Sequence, residues 1–205
     1  MPNWCMNILI IEGHKEEREE FVSKIKPVFI DWGHKYKCLL RKASATKDVN
    51  ERRQLLQEAK NLRKDSTYTS LLHVHYPVPE DIVIKGYDDI GYDWCIKHWG
   101  TKWDACDLDI SKRKECVVAT FLTPWSPPIQ AIVHISKSYP DLTFFLGYYE
   151  AGYPFCGYTI WKDGEEKDGV KLSNNIDCKK CEEWIYTKTY KSIEQCTLAF
   201  SILMS

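Results

Sequence analysis

Residues 94–103 read WCIKHWGTKW, and residues 123–128 read TPWSPP. Trp99, Trp103 and Trp125 thus lie beside Gly100, Thr101, Lys102 and Ser126. Indole faces stack on nucleobases, a glycine lets a backbone approach closely, and hydroxyls with one cation suit phosphate. Ser126, followed by two prolines, reads as a helix N-cap, whose free N–H groups would form an anion site. Tyr148, Tyr149 and Tyr153 surround the following strand turn. Taken singly, each tryptophan is read as packing between sheet and helix. Taken together, these nine side chains are the expected lining of a nucleotide pocket.

Catalytic chemistry finds weaker material. His134–Ser136 matches half of a two-histidine phosphoesterase pattern, which needs a second such motif to supply both acid and base; the chain has none. His73 and His75 would put both rings on one side if extended, with a carboxylate such as Glu150 as partner. No third metal ligand is evident near them. Cys178 and Cys181 form a lone CKKC, two ligands short of a structural zinc site unless Cys196, Cys156 or a histidine joins by folding. A redox role would want that pair at the start of a helix following a strand, and the element order does not suggest it. The expectation is therefore no catalytic group, no metal and no cofactor.

These residues need elements to hold them. NWCMNILIIEG alternates as a first strand, with Trp4, Met6, Ile8 and Ile10 on one face and Cys5, Asn7, Leu9 and Ile11 on the other. KEEREEFVSKIKPVF reads as a helix with acids early and lysines late. Residues 31–47 carry no clear signal, and 48–64 read as a basic helix capped by Asp48. His73 to Pro79 reads as an extended or looping connection. WDACDLDI and ECVVATFLT make a hairpin around SKRK. A helix from Ser126 follows, then two aromatic strands, DLTFFLGYYEAG and PFCGYTIWKDGEE, around a Gly-Tyr-Pro turn. The order predicts an α+β, ferredoxin-like βαββαβ antiparallel sheet with helices on one face. It is read as a single domain over 1–205, with a helical insertion at about 31–90 and a C-terminal extension at about 165–205.

Composition narrows the function classes. The chain has 205 residues, 44% hydrophobic and 28% charged, with eight Trp and twelve Tyr. No run of about 18 apolar residues is present, so no membrane span is expected. The first residues read as no signal peptide, and the nine cysteines are then read as reduced thiols of a cytoplasmic protein. Net charge is −1, but residues 35–64 hold ten Lys/Arg against three Asp/Glu. So uneven a distribution speaks against nucleic-acid coating and leaves one anion-attracting region.

Four motifs, MPNWCMNIL at 1–9, WGTKWDA at 99–105, FLTPWSPP at 121–128 and YPDLTFFLGYYEAGYPFCG at 139–157, resemble the YubB-like ferredoxin-domain family of phages and plasmids. The resemblance implies a ferredoxin-like fold and a mobile-element origin in a bacterial cell; it brings no catalytic residues. The basic segment 35–64 and the tail beyond about 165 lie outside it. By analogy with small phage proteins that counter host defence, the functional expectation is a non-enzymatic protein that sequesters a small anionic or nucleotide ligand, a host immune signal. The alternatives are a phosphodiesterase-like enzyme that cleaves such a signal, and an inhibitor that binds a host protein through the basic helix. Self-association into a homo-oligomer is a further expectation.

Overall fold

The computed structural model describes residues 3–173, 176–187 and 190–204. Its core is built on β1 (Trp4–Glu12), whose alternating apolar residues are buried on both faces. Helix α1 (Lys15–Lys24) follows. It stops earlier than the sequence pattern suggests, because Pro27 holds the residue before it extended, and Lys26–Phe29 become the short strand β2. After a helical hairpin, β2 pairs antiparallel with β3 (Thr67–Ser70), forming a separate two-stranded ribbon.

That hairpin comprises α2 (Lys35–Ala45) and α3 (Val49–Ser66). α2 occupies the stretch that carried no clear signal. α3 starts where expected, with Asp48 accepting from the Asn50 and Glu51 N–H groups. The two helices pack mainly on one another, burying only Ala43 and Ala59 fully. Short α4 (Leu72–His75), α5 (Glu80–Lys85), a wide turn at Tyr87–Gly91 and α6 (Tyr92–Trp99) complete the insertion. Its elements thus span residues 26–99.

β4 (Cys106–Lys112) and β5 (Cys116–Pro124) form the hairpin foreseen from the sequence. α7 (Ile129–Ser138) leads to β6 (Thr143–Glu150), β7 (Phe155–Lys162) and β8 (Glu165–Ser173). The sheet order is β4-β5-β1-β6-β7-β8, antiparallel throughout. Strands β4, β5, β1 and β6, with α1 and α7, reproduce the ferredoxin-like βαββαβ arrangement, and β7 and β8 widen the sheet.

Each face carries its own core. Cys5, Leu9 and Ile11 face Phe21 of α1 and Ala131, Ile132 and Ile135 of α7. Ile8 and Ile10 face α8 (Cys178–Tyr186) and α9 (Ile193–Met204), with Trp184 and Phe200 at the centre. The C-terminal extension therefore adds a third layer, on the face that α1 and α7 leave open. Among the described residues no helix is long and apolar enough to cross a membrane.

Candidate ligand-binding site

Segments remote in sequence meet around a cavity of about 530 Å³ between the insertion and the β4 edge of the sheet. Trp32 enters from the turn before α2, Tyr68 from β3, Tyr87 from the wide turn, Trp99 from α6 and Trp103 from the loop leading into β4. The Trp32 and Tyr87 rings meet edge to face at 5.5 Å. Gly91 makes room for this, since a Cβ there would stand 2.5 Å from the Trp32 ring. The Tyr87 hydroxyl donates to the Lys102 carbonyl at 2.9 Å, and the Trp99 Nε1–H donates to the Tyr76 carbonyl at 2.9 Å.

Asp104 joins these pieces. It is 3% exposed and accepts from the backbone N–H groups of Leu71, Leu72, His73 and Ala105 and from the Ser70 hydroxyl, at 2.6–3.1 Å. The carboxylate thus satisfies the N–H groups at the start of α4 that have no partner within the helix. It also ties the insertion to the entry of β4. Five donors converging on its two oxygens make Asp104 a structural anchor.

Other lining groups are held neutral. Burial, with Asp104 nearby, pushes the Tyr68 hydroxyl up. Burial also raises Tyr87 and Cys106 and pushes Cys95 up to about 12. At neutral pH these groups are hydrogen-bonding phenols and thiols, and none is a nucleophile. The cavity offers ring faces, donors and the exposed Asp107 at its edge.

The nine residues expected to bind ligand do not share one surface. Trp99 and Trp103 line the cavity. Thr101 is fully buried, its Oγ1 donating to the Pro124 carbonyl at 3.1 Å. Lys102 sits with Nζ 5.0 Å from the Trp125 ring centroid and 5.6 Å from that of Tyr92. The GTK turn and the TPWSPP segment therefore do meet, with the Trp125 and Tyr92 rings around one lysine. Tyr148 and Tyr149, adjacent on β6, point to opposite faces and belong to different cores. Tyr153 is exposed in the β6–β7 turn.

Ser126 corrects the sequence reading. α7 begins at Ile129 and Ser126 does not cap it. Each proline disfavours helical geometry in the residue before it, so Pro127 and Pro128 keep Ser126 and Pro127 out of the helix. The Ser126 hydroxyl donates to the Gly100 carbonyl at 2.6 Å, and its N–H bonds the Pro124 carbonyl. The anion site expected there is not formed by Ser126. Trp32, Tyr68, Tyr87 and Asp104 were missed, because no local pattern connects four residues so far apart.

The histidines form no single group, although His98 and His134 both meet Tyr76. His73 and His75 lie in a helical turn, where residues two apart diverge. His73 Nδ1 accepts the Val78 N–H. His75 stacks on Phe21 at 4.0 Å and meets the Tyr139 hydroxyl at 3.2 Å. His134 stacks on Tyr76 at 3.5 Å. Glu150 accepts the Gly152 and Tyr153 N–H groups at the end of β6 away from Phe144 and the Phe21–His75 stack. Eight strand residues span roughly 25 Å, so Glu150 is no partner for His75.

His75 has a measurable consequence. Burial first, then the Lys24 charge, pushes it down from 6.5 to about 4. The unfolded chain therefore binds the extra proton more readily between those values. The stability His75 confers is present in full above pH 6.5 and is lost as pH falls toward 4. Between pH 7 and pH 5 the expected loss is about 2 kcal/mol. The wild-type urea midpoint should fall relative to that of His75→Phe over that interval; parallel pH profiles would disprove the assignment.

A family model described as a ferredoxin-like domain in Api92-like protein matches residues 98–191, a span holding three of the four motifs quoted above. No curated protein matches the chain. The crystal structure of the protein api92 from Yersinia pseudotuberculosis is similar with a TM-score of 0.54 and 11% identity, over 86% of this chain and 100% of that one. At that identity the likeness is one of fold. From residue 98 to residue 191, this chain is similar to the ferredoxin-like domain of Api92-like proteins.

Proposed function

We propose that the protein is a non-catalytic binding module that holds a planar, nucleobase-like ring, as part of a nucleotide, in the cavity beneath Trp32 and Trp103. The single observation that carries this reading is a space of about 530 Å³ bordered by Trp32, Tyr68, Tyr87, Trp99 and Trp103. That volume suits a drug-sized ligand, and aromatic walls accept any base through its π-face. Lys102 lies on the same loop, with its ammonium held over the Trp125 and Tyr92 rings outside the cavity lining. No histidine is among the described residues that line this cavity, and its neutral thiols and phenols favour retention of the ligand over its cleavage. The resemblance to YubB-like proteins of phages and plasmids frames the biological role: sequestration of a host immune signal in the bacterial cytoplasm.

Titration of the purified protein with nucleotides, followed by tryptophan fluorescence, tests the cavity. Loss of one stacking ring costs about 1–3 kcal/mol, so Trp103→Ala and Trp32→Ala should each weaken binding about 5- to 150-fold while the circular dichroism spectrum stays native. Unchanged affinity in both folded variants would place the ligand elsewhere.

A second reading rests on the α2–α3 hairpin, which is strongly basic and packs mainly on itself. Through it the chain would act as an inhibitor that binds an acidic surface of a host protein.

A further inference from the structure

CKKC is the motif that the cavity leaves unused. In the fold it lies at the start of a helix. α8 begins at Cys178, with Asp177 accepting the Lys179 and Lys180 N–H groups, and it follows strand β8. Cys181 is three residues further on, so the two cysteines share a helix face. This is the placement that dithiol chemistry uses, an attacking cysteine at the helix start and its partner one turn in. The element order read from sequence had argued against it.

The surroundings add a third thiol. Cys156 of β7 and Cys181 are both fully buried, and their side chains are in hydrogen-bonding contact. Tyr149, the register partner of Cys156, bonds Cys178. Burial raises both the Cys156 and Cys181 thiols, so neither can start a reaction in the folded protein. Cys178 is the half-exposed member. Among the described residues no three His, Cys, Asp or Glu side chains are grouped to hold a metal ion.

We propose that Cys178 and Cys181 form a redox-active dithiol that exchanges with low-molecular-weight disulfides. The Cys178 thiolate attacks one sulfur of the disulfide; the S–S bond breaks and the first thiolate leaves, taking a proton from water. Cys181 then gives its proton to water and attacks the Cys178 sulfur, expelling the second thiolate, which is protonated in turn. The protein dithiol is oxidised by two electrons, and one disulfide becomes two thiols.

Glutathione disulfide in excess, followed by acid quenching and peptide mass mapping, tests this on the native chain. Wild type should yield a Cys178–Cys181 disulfide with Cys156 still a thiol, and Cys181→Ser should trap a glutathione adduct on Cys178. Exposed Cys38 reports that the reagent is active. Free thiols at Cys178 and Cys181 while Cys38 is modified would overturn the proposal. A Cys156–Cys178 bond would overturn the role given to Cys181.

Discussion

Asp104→Ala is expected to lower the melting temperature by roughly 10 °C and to loosen the insertion from the sheet. The carboxylate receives four backbone N–H groups and one hydroxyl, in a position that is 3% exposed. Each buried donor left without an acceptor costs about 1–3 kcal/mol. Water entering the vacated space relieves part of this, leaving a net loss of about 4 kcal/mol. In a chain of this length, each kcal/mol shifts the melting temperature by about 2–4 °C. Asp104→Asn keeps one carbonyl oxygen but turns an amide toward donors, so it should fall between wild type and alanine. Leu71 and Leu72 anchor the segment that leads to the cavity's tyrosine and tryptophan walls, so ligand affinity should fall with stability. A melting temperature within 2 °C of wild type would mean that Asp104 does not hold the two parts together.

Trp184→Ala should be as damaging, on the opposite face. Its ring is fully buried, packs edge-on against Phe200 at 4.7 Å and Phe145 at 6.3 Å, and donates Nε1–H to the Cys196 carbonyl at 3.1 Å. Gly147 provides its slot; a Cβ there would lie 2.6 Å from the Trp184 Cη2 atom. Truncating a buried tryptophan typically costs about 3–5 kcal/mol. The loss should be local first, because α8 and α9 pack on the sheet as a pair. Hydrogen exchange should show α8 and α9 losing protection while α1 and α7 keep theirs. Uniform loss over the whole chain would mean that the two cores unfold as one unit.

The sheet was legible in the sequence because alternation is a local signal. Ile8 and Ile10 separate from Leu9 and Ile11 in the structure as their spacing implies. The β4–β5 and β6–β7 hairpins follow from short turns between apolar runs. Legibility ended where tertiary contact or backbone restriction decides. Lys35–Ala45 is helical although its apolar residues, Leu39 and Leu40, find only a partial partner in α3. The helix start placed at Ser126 failed because the prolines after it restrict the residues before them. At the candidate site, Trp99 and Trp103 were visible from their own segment. Trp32, Tyr68 and Tyr87 reach the cavity only because the β2–β3 ribbon and the wide turn fold back over it. Tyr148 and Tyr149 were grouped by sequence and divided by the pleat.

One measurement bears most directly on the account. The purified protein is incubated with cyclic and ADP-ribose-type nucleotides, freed of unbound ligand, denatured, and the released molecules identified. A non-catalytic binder of this kind should release one nucleotide, chemically intact and stoichiometric with the chain. An altered nucleotide would contradict retention without cleavage. Release of none would contradict nucleotide binding itself and leave the basic hairpin as the functional surface.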